Sequence, residues 1–234
     1  MSAFIRYQLI NFVRSLKFIP PAVVFLAWII ILYAYNNAPI LSSFGVSSIA
    51  LYLVMTWMTM ALFALEEESE KLILFTYLGS KNKYLAGKWM TAMAMMVPLL
   101  LFSIFFPIVT ESFKGDMSLK LYSFTFYSHL VFSALGILVG TLFSATRLAT
   151  KKYAWLSAVF VIIVSLASKS LIETVPFLKI MLWVFPPVFK IIGHMGGGDV
   201  LFMKESILIH VVFVIGYIII GGVITIILFR KKES

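Results

Sequence analysis

The chain has 234 residues, of which 62% are apolar and only 12% charged, and its mean hydropathy of +1.02 places it in the membrane class and outside the range of soluble folds. The formal charge of +9 does not point to nucleic acid, because the basic residues are spread over connecting segments and not gathered on one groove-sized face. Cysteine is absent, which excludes disulfides, thiolate metal sites and a cysteine nucleophile.

Residues 2 to 17 set Ile5, Leu9, Phe12 and Leu16 at helical spacing, with Arg6, Arg14 and Lys17 on a neighbouring face. An N-terminal amphipathic interfacial helix is expected there. The uncharged run from Phe18 to Tyr35 is too long for a signal-peptide core and lacks a small-residue cleavage pattern, so it reads as a retained helix. About 20 apolar residues cross the hydrocarbon. That length predicts six transmembrane helices, near 18–36, 46–65, 89–109, 124–145, 153–172 and 206–229, in an all-α polytopic fold with a single transmembrane domain over 1–234. Six spans put both termini on one side. Thirteen of the 19 Lys and Arg fall on that side and six on the other, so the expected topology is a multi-pass cell-membrane protein with cytoplasmic N- and C-termini.

The second span ends abruptly in ALFALEEESEKLILF, where Glu66, Glu67, Glu68 and Glu70 open an inner loop over residues 66–88. Carboxylates suit the positive end of a helix dipole. Leu72, Ile73, Phe75, Leu78 and Leu85 then give one apolar side, with Lys81, Lys83 and Lys88 towards the end, so one short amphipathic helix is expected. On charge pattern alone the carboxylates either cap that helix and stop the span from sliding, or form a docking surface. In the fourth span Gly136 and Gly140, in GILVG, form a small-xxx-small pattern that is either a packing seam or chance glycine in a glycine-tolerant helix. The second inner loop, Ala145 to Tyr153, reads as positive-inside anchors. Beyond the fifth span, Pro186 and Pro187 interrupt an apolar stretch. Two short helices dipping into the outer leaflet are predicted over 175–193, within an extracellular segment 175–205 that ends in the glycine-rich GHMGGGD.

No phosphate-binding loop is present: AGKW at 86–89 has Asn82 where the first glycine belongs and Trp89 where the hydroxyl belongs. GHMGGGD opens no strand-to-helix turn and reads as a connector. Lys169 is placed to snorkel, His129 and His210 read as interfacial hydrogen-bonding residues, and His194 as solvent-exposed. No carboxylate sits mid-membrane, which disfavours a proton-coupled carrier. No catalytic, cofactor-binding or metal-ligating residue is assigned, and the substrate-pathway residues are not assigned either. Met55, Met58 and Met60, with Met90, Met93, Met95 and Met96, mark lipid-facing or packing surfaces, or pliable walls for apolar cargo.

The chain resembles the membrane subunits of type 2 ATP-binding-cassette exporters. The resemblance rests on the amphipathic helix at 2–17, the six spans, the paired short helices at 175–193, and an inner loop running from Glu68 through a leucine-rich helix and a basic turn to Gly87-Lys88. Where the family usually has Gly-Thr after the acidic pair, this chain has Ser69-Glu70-Lys71. The resemblance implies that the inner loop is a coupling helix seated on an ATPase subunit, through Glu66, Glu67, Glu68, Glu70, Lys71, Leu72, Phe75, Leu78 and Lys81. It implies two ATPase copies carrying ATP-Mg, no cofactor on this chain, and a second permease copy or paralogue, with a pathway built mainly from the first, second and fifth spans. Within the family the chain looks most like short Gram-positive permeases for toxic amphipathic peptides, of the phenol-soluble-modulin exporter type. An amphipathic peptide or lipid-like cargo, drawn from the lipid bilayer, is expected. The rival classes are a non-transporting membrane scaffold and a lipid-modifying membrane protein. The second should show a polar cluster at an interface, and the sequence shows none.

Overall fold

The structure, a computed structural model, describes residues 1–35, 37–115, 117–148, 150, 152–196 and 206–233. Its helices are α1 (Ser2–Arg14), α2 (Ile19–Leu32), α3 (Ile40–Phe63), α4 (Glu68–Leu78), α5 (Lys81–Val109), α6 (Leu119–Ala145), α7 (Ala154–Thr174), α8 (Phe189–Ile192) and α9 (Ser206–Glu233), with two 3-10 turns, Pro176–Lys179 and Met181–Val184, between α7 and α8. Among the described residues the fold is all-helical, without strands.

Five helices, α3, α5, α6, α7 and α9, are long and apolar enough to cross a membrane. Large apolar side chains on α7 and α9, among them Phe160, Ile163, Ile219, Ile220 and Val223, point outward, and water would not tolerate so continuous an apolar surface. The chain is therefore a membrane-embedded helical protein. The first apolar run gives a shorter helix than the expected 18–36. Pro20 and Pro21 set its start, where their missing N–H groups cost nothing. The chain then leaves the helix at Tyr33, and Ala38 pairs with Phe113 as an isolated bridge. The 14 residues of α2 rise about 21 Å against a hydrocarbon thickness of about 30 Å, and α2 meets α1 at a bend of 78°.

The centre of the bundle is the α3–α6 pair. A Cβ added at Gly136 would lie 2.7 Å from the Tyr52 carbonyl oxygen, and one at Gly140 would lie 2.7 Å from that of Thr56, so both glycines let α6 meet the α3 backbone directly. Around this pair, Phe25, Ile29, Met55, Met58, Met95 and Met96 fill the α2–α3–α5 side. Phe44, Tyr52, Phe132, Ile162, Val188 and Ile191 fill the side towards α7 and α8. Met55, Met58, Met95 and Met96 are thus internal packing, while Met90 and Met93 are exposed.

Two further expectations are revised. The loop 66–88 does not hold one amphipathic helix: α4 stops at Leu78 because Gly79 turns left-handed (φ 65°), and Ser80 caps a new helix by accepting from the Asn82 N–H at 3.2 Å. Lys81, Lys83, Leu85 and Lys88 consequently belong to α5, which begins two turns earlier than the expected third span. The segment 175–193 forms three single turns and not two helices: Pro176 opens the first, the first two part at Ile180, and the Pro186-Pro187 pair separates the second from α8. Of the glycine-rich loop, residues 197–205 lie outside the described residues.

Candidate functional site

One end of the bundle carries both termini, the α3–α4–α5 connection and the α6–α7 connection. Around α4 this end holds the ion pairs Lys71–Glu68, Lys71–Glu233 and Lys88–Glu66.

Its centre is Glu66, between α3 and α4. Lys88, two turns into α5, reaches both carboxylate oxygens, at 2.7 and 2.6 Å, with the two side chains 0% and 1% exposed. Gln8 on α1 donates its amide to Glu66 Oε1 at 2.6 Å and accepts from Lys88 at 2.9 Å. Tyr84 donates to Glu66 Oε2 at 3.0 Å, and Lys88 also reaches the Leu62 carbonyl at 2.9 Å. Every charge in the cluster has a partner, as a buried ion pair requires. Gly87 lies under the Phe4 ring, and a Cβ there would collide with it. The adjacent Gly87-Lys88 thus has two structural tasks: close passage for α1, and the cation that holds α1, α3 and α5 together. AGKW is helix interior.

A second set of bonds joins α4 to its neighbours. Tyr7 on α1 donates to Glu70 at 2.6 Å, and that bond is the chief reason the Tyr7 phenol is held above its ordinary value. Lys17 donates to the Ala64 carbonyl at 2.9 Å. Lys71 lies between Glu68 at 2.6 Å and Glu233 of α9 at 2.9 Å. Burial pulls the Lys71 ammonium down, but the two carboxylates outweigh it and hold its pKa above the usual lysine value. Phe75 packs edge-on to Tyr84 and Phe229, with ring centroids 5.0 and 6.1 Å away.

The nine residues expected to meet a partner are therefore divided. Glu66 and Phe75 face inward, and Glu70 and Lys71 are bonded to α1 and α9. Lys81 donates to the Glu233 carbonyl oxygen, and Leu78 is half-buried. Glu67, Glu68 and Leu72 are exposed. On α4, Glu68, Ser69, Leu72, Ile73, Thr76 and Tyr77 form one outward stripe at helical spacing. Ile73 and Tyr77, 68% and 77% exposed, were not among the expected contacts. Their exposure could not be read from the apolar pattern, which mixes the inward and outward faces of so short a helix.

Beside α4 lies a cavity of about 540 Å³ with apolar walls from Trp57, Met60, Phe143, Trp155 and Phe229 and charged groups from Glu67, Glu68, Lys71, Lys232 and Glu233. Trp57 and Trp155 line it in contact with each other, their ring centroids 6.0 Å apart.

Away from this end, His129 is fully buried between α3 and α6. Its Nδ1 lies 2.8 Å from the Thr125 carbonyl and so carries the proton, leaving Nε2 to accept from Ser47 at 2.9 Å. It is an interhelical hydrogen-bonding residue within the bundle. His194 is bonded to His210 at 2.8 Å, a pairing hidden by a separation of 16 residues. Among the described residues no cluster of three metal-ligating side chains occurs. No known protein family, curated protein or solved structure matches this chain.

Proposed function

We propose that the chain is the permease subunit of an ATP-driven exporter for hydrophobic or amphipathic cargo, with α4 as the helix on which a separate ATPase subunit acts. In this reading α1 lies along the inner membrane surface, α2 with its flanking residues completes a sixth span, and the termini are cytoplasmic. Two permeases, identical or paralogous, associate with two ATPase subunits that carry ATP-Mg, and the one-turn segments between α7 and α9 cover the outer end.

The observation that carries this reading is the contrast between the two faces of α4. Its inner face is fastened to α1, α5 and α9 by Glu70, Phe75 and Lys71. Its outer face presents Leu72, Ile73 and Tyr77, apolar side chains that nothing among the described residues covers. A helix bonded so firmly on one side and bare on the other moves as a unit with the helices it joins, which is what a handle for a motor needs. The amphipathic cavity beside it, apolar on its aromatic walls and charged at Glu67 and Glu68, supports a cargo with both characters.

Reversing Glu66, Glu67, Glu68 and Glu70 together would confuse docking with folding, since Glu66 and Glu70 are internal bonds. The informative variants are Glu67→Lys and the triple change Leu72→Ser, Ile73→Ser, Tyr77→Ser. Both are expected to leave the fold intact and abolish association with an ATP-hydrolysing subunit. Recovery of the folded protein from its own membrane with no such subunit would instead favour a scaffold.

A further inference from the structure

We infer that α9 is a transmission rod joining the α4 end of the molecule to the cap of short turns at the opposite end. This goes beyond the docking role of α4 and does not depend on which partner moves it.

The first requirement is a grip at the α4 end. The last turn of α9 is held on three sides. Glu233 binds Lys71 of α4, and these two side chains are only 9% and 12% exposed. The final carbonyl groups of a helix lack internal partners, and here Lys81 of α5 donates to that of Glu233 while Arg147 of the α6–α7 connection donates to that of Lys232 at 3.1 Å. Arg230 donates to Asn82 at 2.8 Å. Phe229, 1% exposed, is stacked on Tyr84 and edge-on to Phe75.

The second requirement is a grip at the far end. Tyr217 donates to the Val184 carbonyl at 2.7 Å, Phe213 meets Trp183 edge-on at 5.7 Å, and Lys190 lies 4.5 Å over the Phe213 ring. His210 is bonded to His194. These partners lie on the second 3-10 turn, on α8 and just after it.

The third is stiffness between the grips. α9 is one uninterrupted helix of 28 residues without proline, about 42 Å long. Much of its length, including Val212, Ile219, Ile220 and Val223, faces outward. Lipid chains on that face yield where packed protein would not. A stiff helix gripped at both ends, packed on α6 along one side through Val214 and Gly221 and facing lipid along the other, turns displacement at one end into tilt or translation at the other.

The chain's lack of cysteine allows a direct test. Ile180, 82% exposed between the two 3-10 turns, is replaced by cysteine, and its rate of maleimide modification is measured in reconstituted vesicles. Adding Lys71→Met with Glu233→Gln, which removes the side-chain link between α4 and α9 from the grip at the α4 end, is expected to change that rate about fivefold or more, in the range of site-to-site couplings. Lys83→Met, an exposed change outside the grip, is expected to leave it unaltered. An unchanged rate in the Lys71/Glu233 variant, with hydrogen exchange showing α4 loosened, overturns the inference.

Coupling is reciprocal, so a second variant tests it from the opposite end without touching the ion pair. Tyr217→Phe releases the cap bond and is expected to raise amide exchange over residues 68–78. No change in that exchange, with Ile180→Cys modification accelerated, likewise overturns it.

Discussion

Lys88 holds both oxygens of Glu66 across a separation of 22 residues, with neither side chain exposed to solvent. The pair fixes the end of α3 to the beginning of α5, and through Gln8 it also fixes α1. Everything that α4 does is done from this anchor.

Removing one member leaves a buried charge without its counterpart, which costs about 3–5 kcal/mol. Lys88→Met and Glu66→Gln are therefore each expected to lower the unfolding temperature markedly in detergent. The double variant is expected to recover much of the loss, because no lone charge is left. Equal destabilisation by the double variant and the sum of the singles would show that the two side chains act independently.

The α3–α6 contact predicts a contrast between glycines. A Cβ at Gly140 would stand 2.7 Å from the Thr56 carbonyl oxygen and 2.8 Å from the Thr59 Cβ, so Gly140→Ala must part the helices, at about 1–3 kcal/mol. Gly216 on α9 has nothing within 4 Å of the same position, and Gly216→Ala is expected to be neutral or stabilising, since alanine favours helix by about 1 kcal/mol. Thermal melts of the two variants, compared side by side, check this.

The Lys71 link has a defined pH dependence. Its pKa in the folded protein is raised, so the stability it contributes is fully present below the unfolded lysine value and is lost as pH rises through the folded one. The stability gap between the native chain and Lys71→Met is expected to be flat across about pH 6 to 9 and to narrow above about 10.5, the ordinary lysine value. Melting temperatures of both proteins across that range measure it. A gap that narrows near neutrality would mean that another group controls the link.

The helical class and the apolar lengths of α3, α5, α6, α7 and α9 were legible because runs long enough to cross a bilayer leave few other arrangements. The close approach at Gly136 and Gly140 was legible as a spacing, though only the position of the Tyr52 and Thr56 carbonyls separates a seam from chance. What stayed hidden depends on contacts far apart in the chain. Glu66 and Glu67 are indistinguishable in EEESE, yet Lys88 and Gln8 bury the first and leave the second in the open. The His194–His210 bond and the fastening of Glu233 to Lys71 have no local signature. The division of the 66–88 loop turned on Gly79 and Ser80, a helix stop and start that the amphipathic pattern runs straight across.

The outward face of α4 is where the proposed function is most directly tested. The tagged protein is purified from its native membrane, with and without Leu72→Ser, Ile73→Ser and Tyr77→Ser, and the bound nucleotide-hydrolysing subunit and its ATP turnover are quantified. The account predicts that the unaltered chain retains a stoichiometric ATPase and that the triple variant, with the same melting temperature, loses at least about tenfold in retained subunit, or about 1.4 kcal/mol of binding. Full retention of the ATPase by the folded triple variant would contradict it.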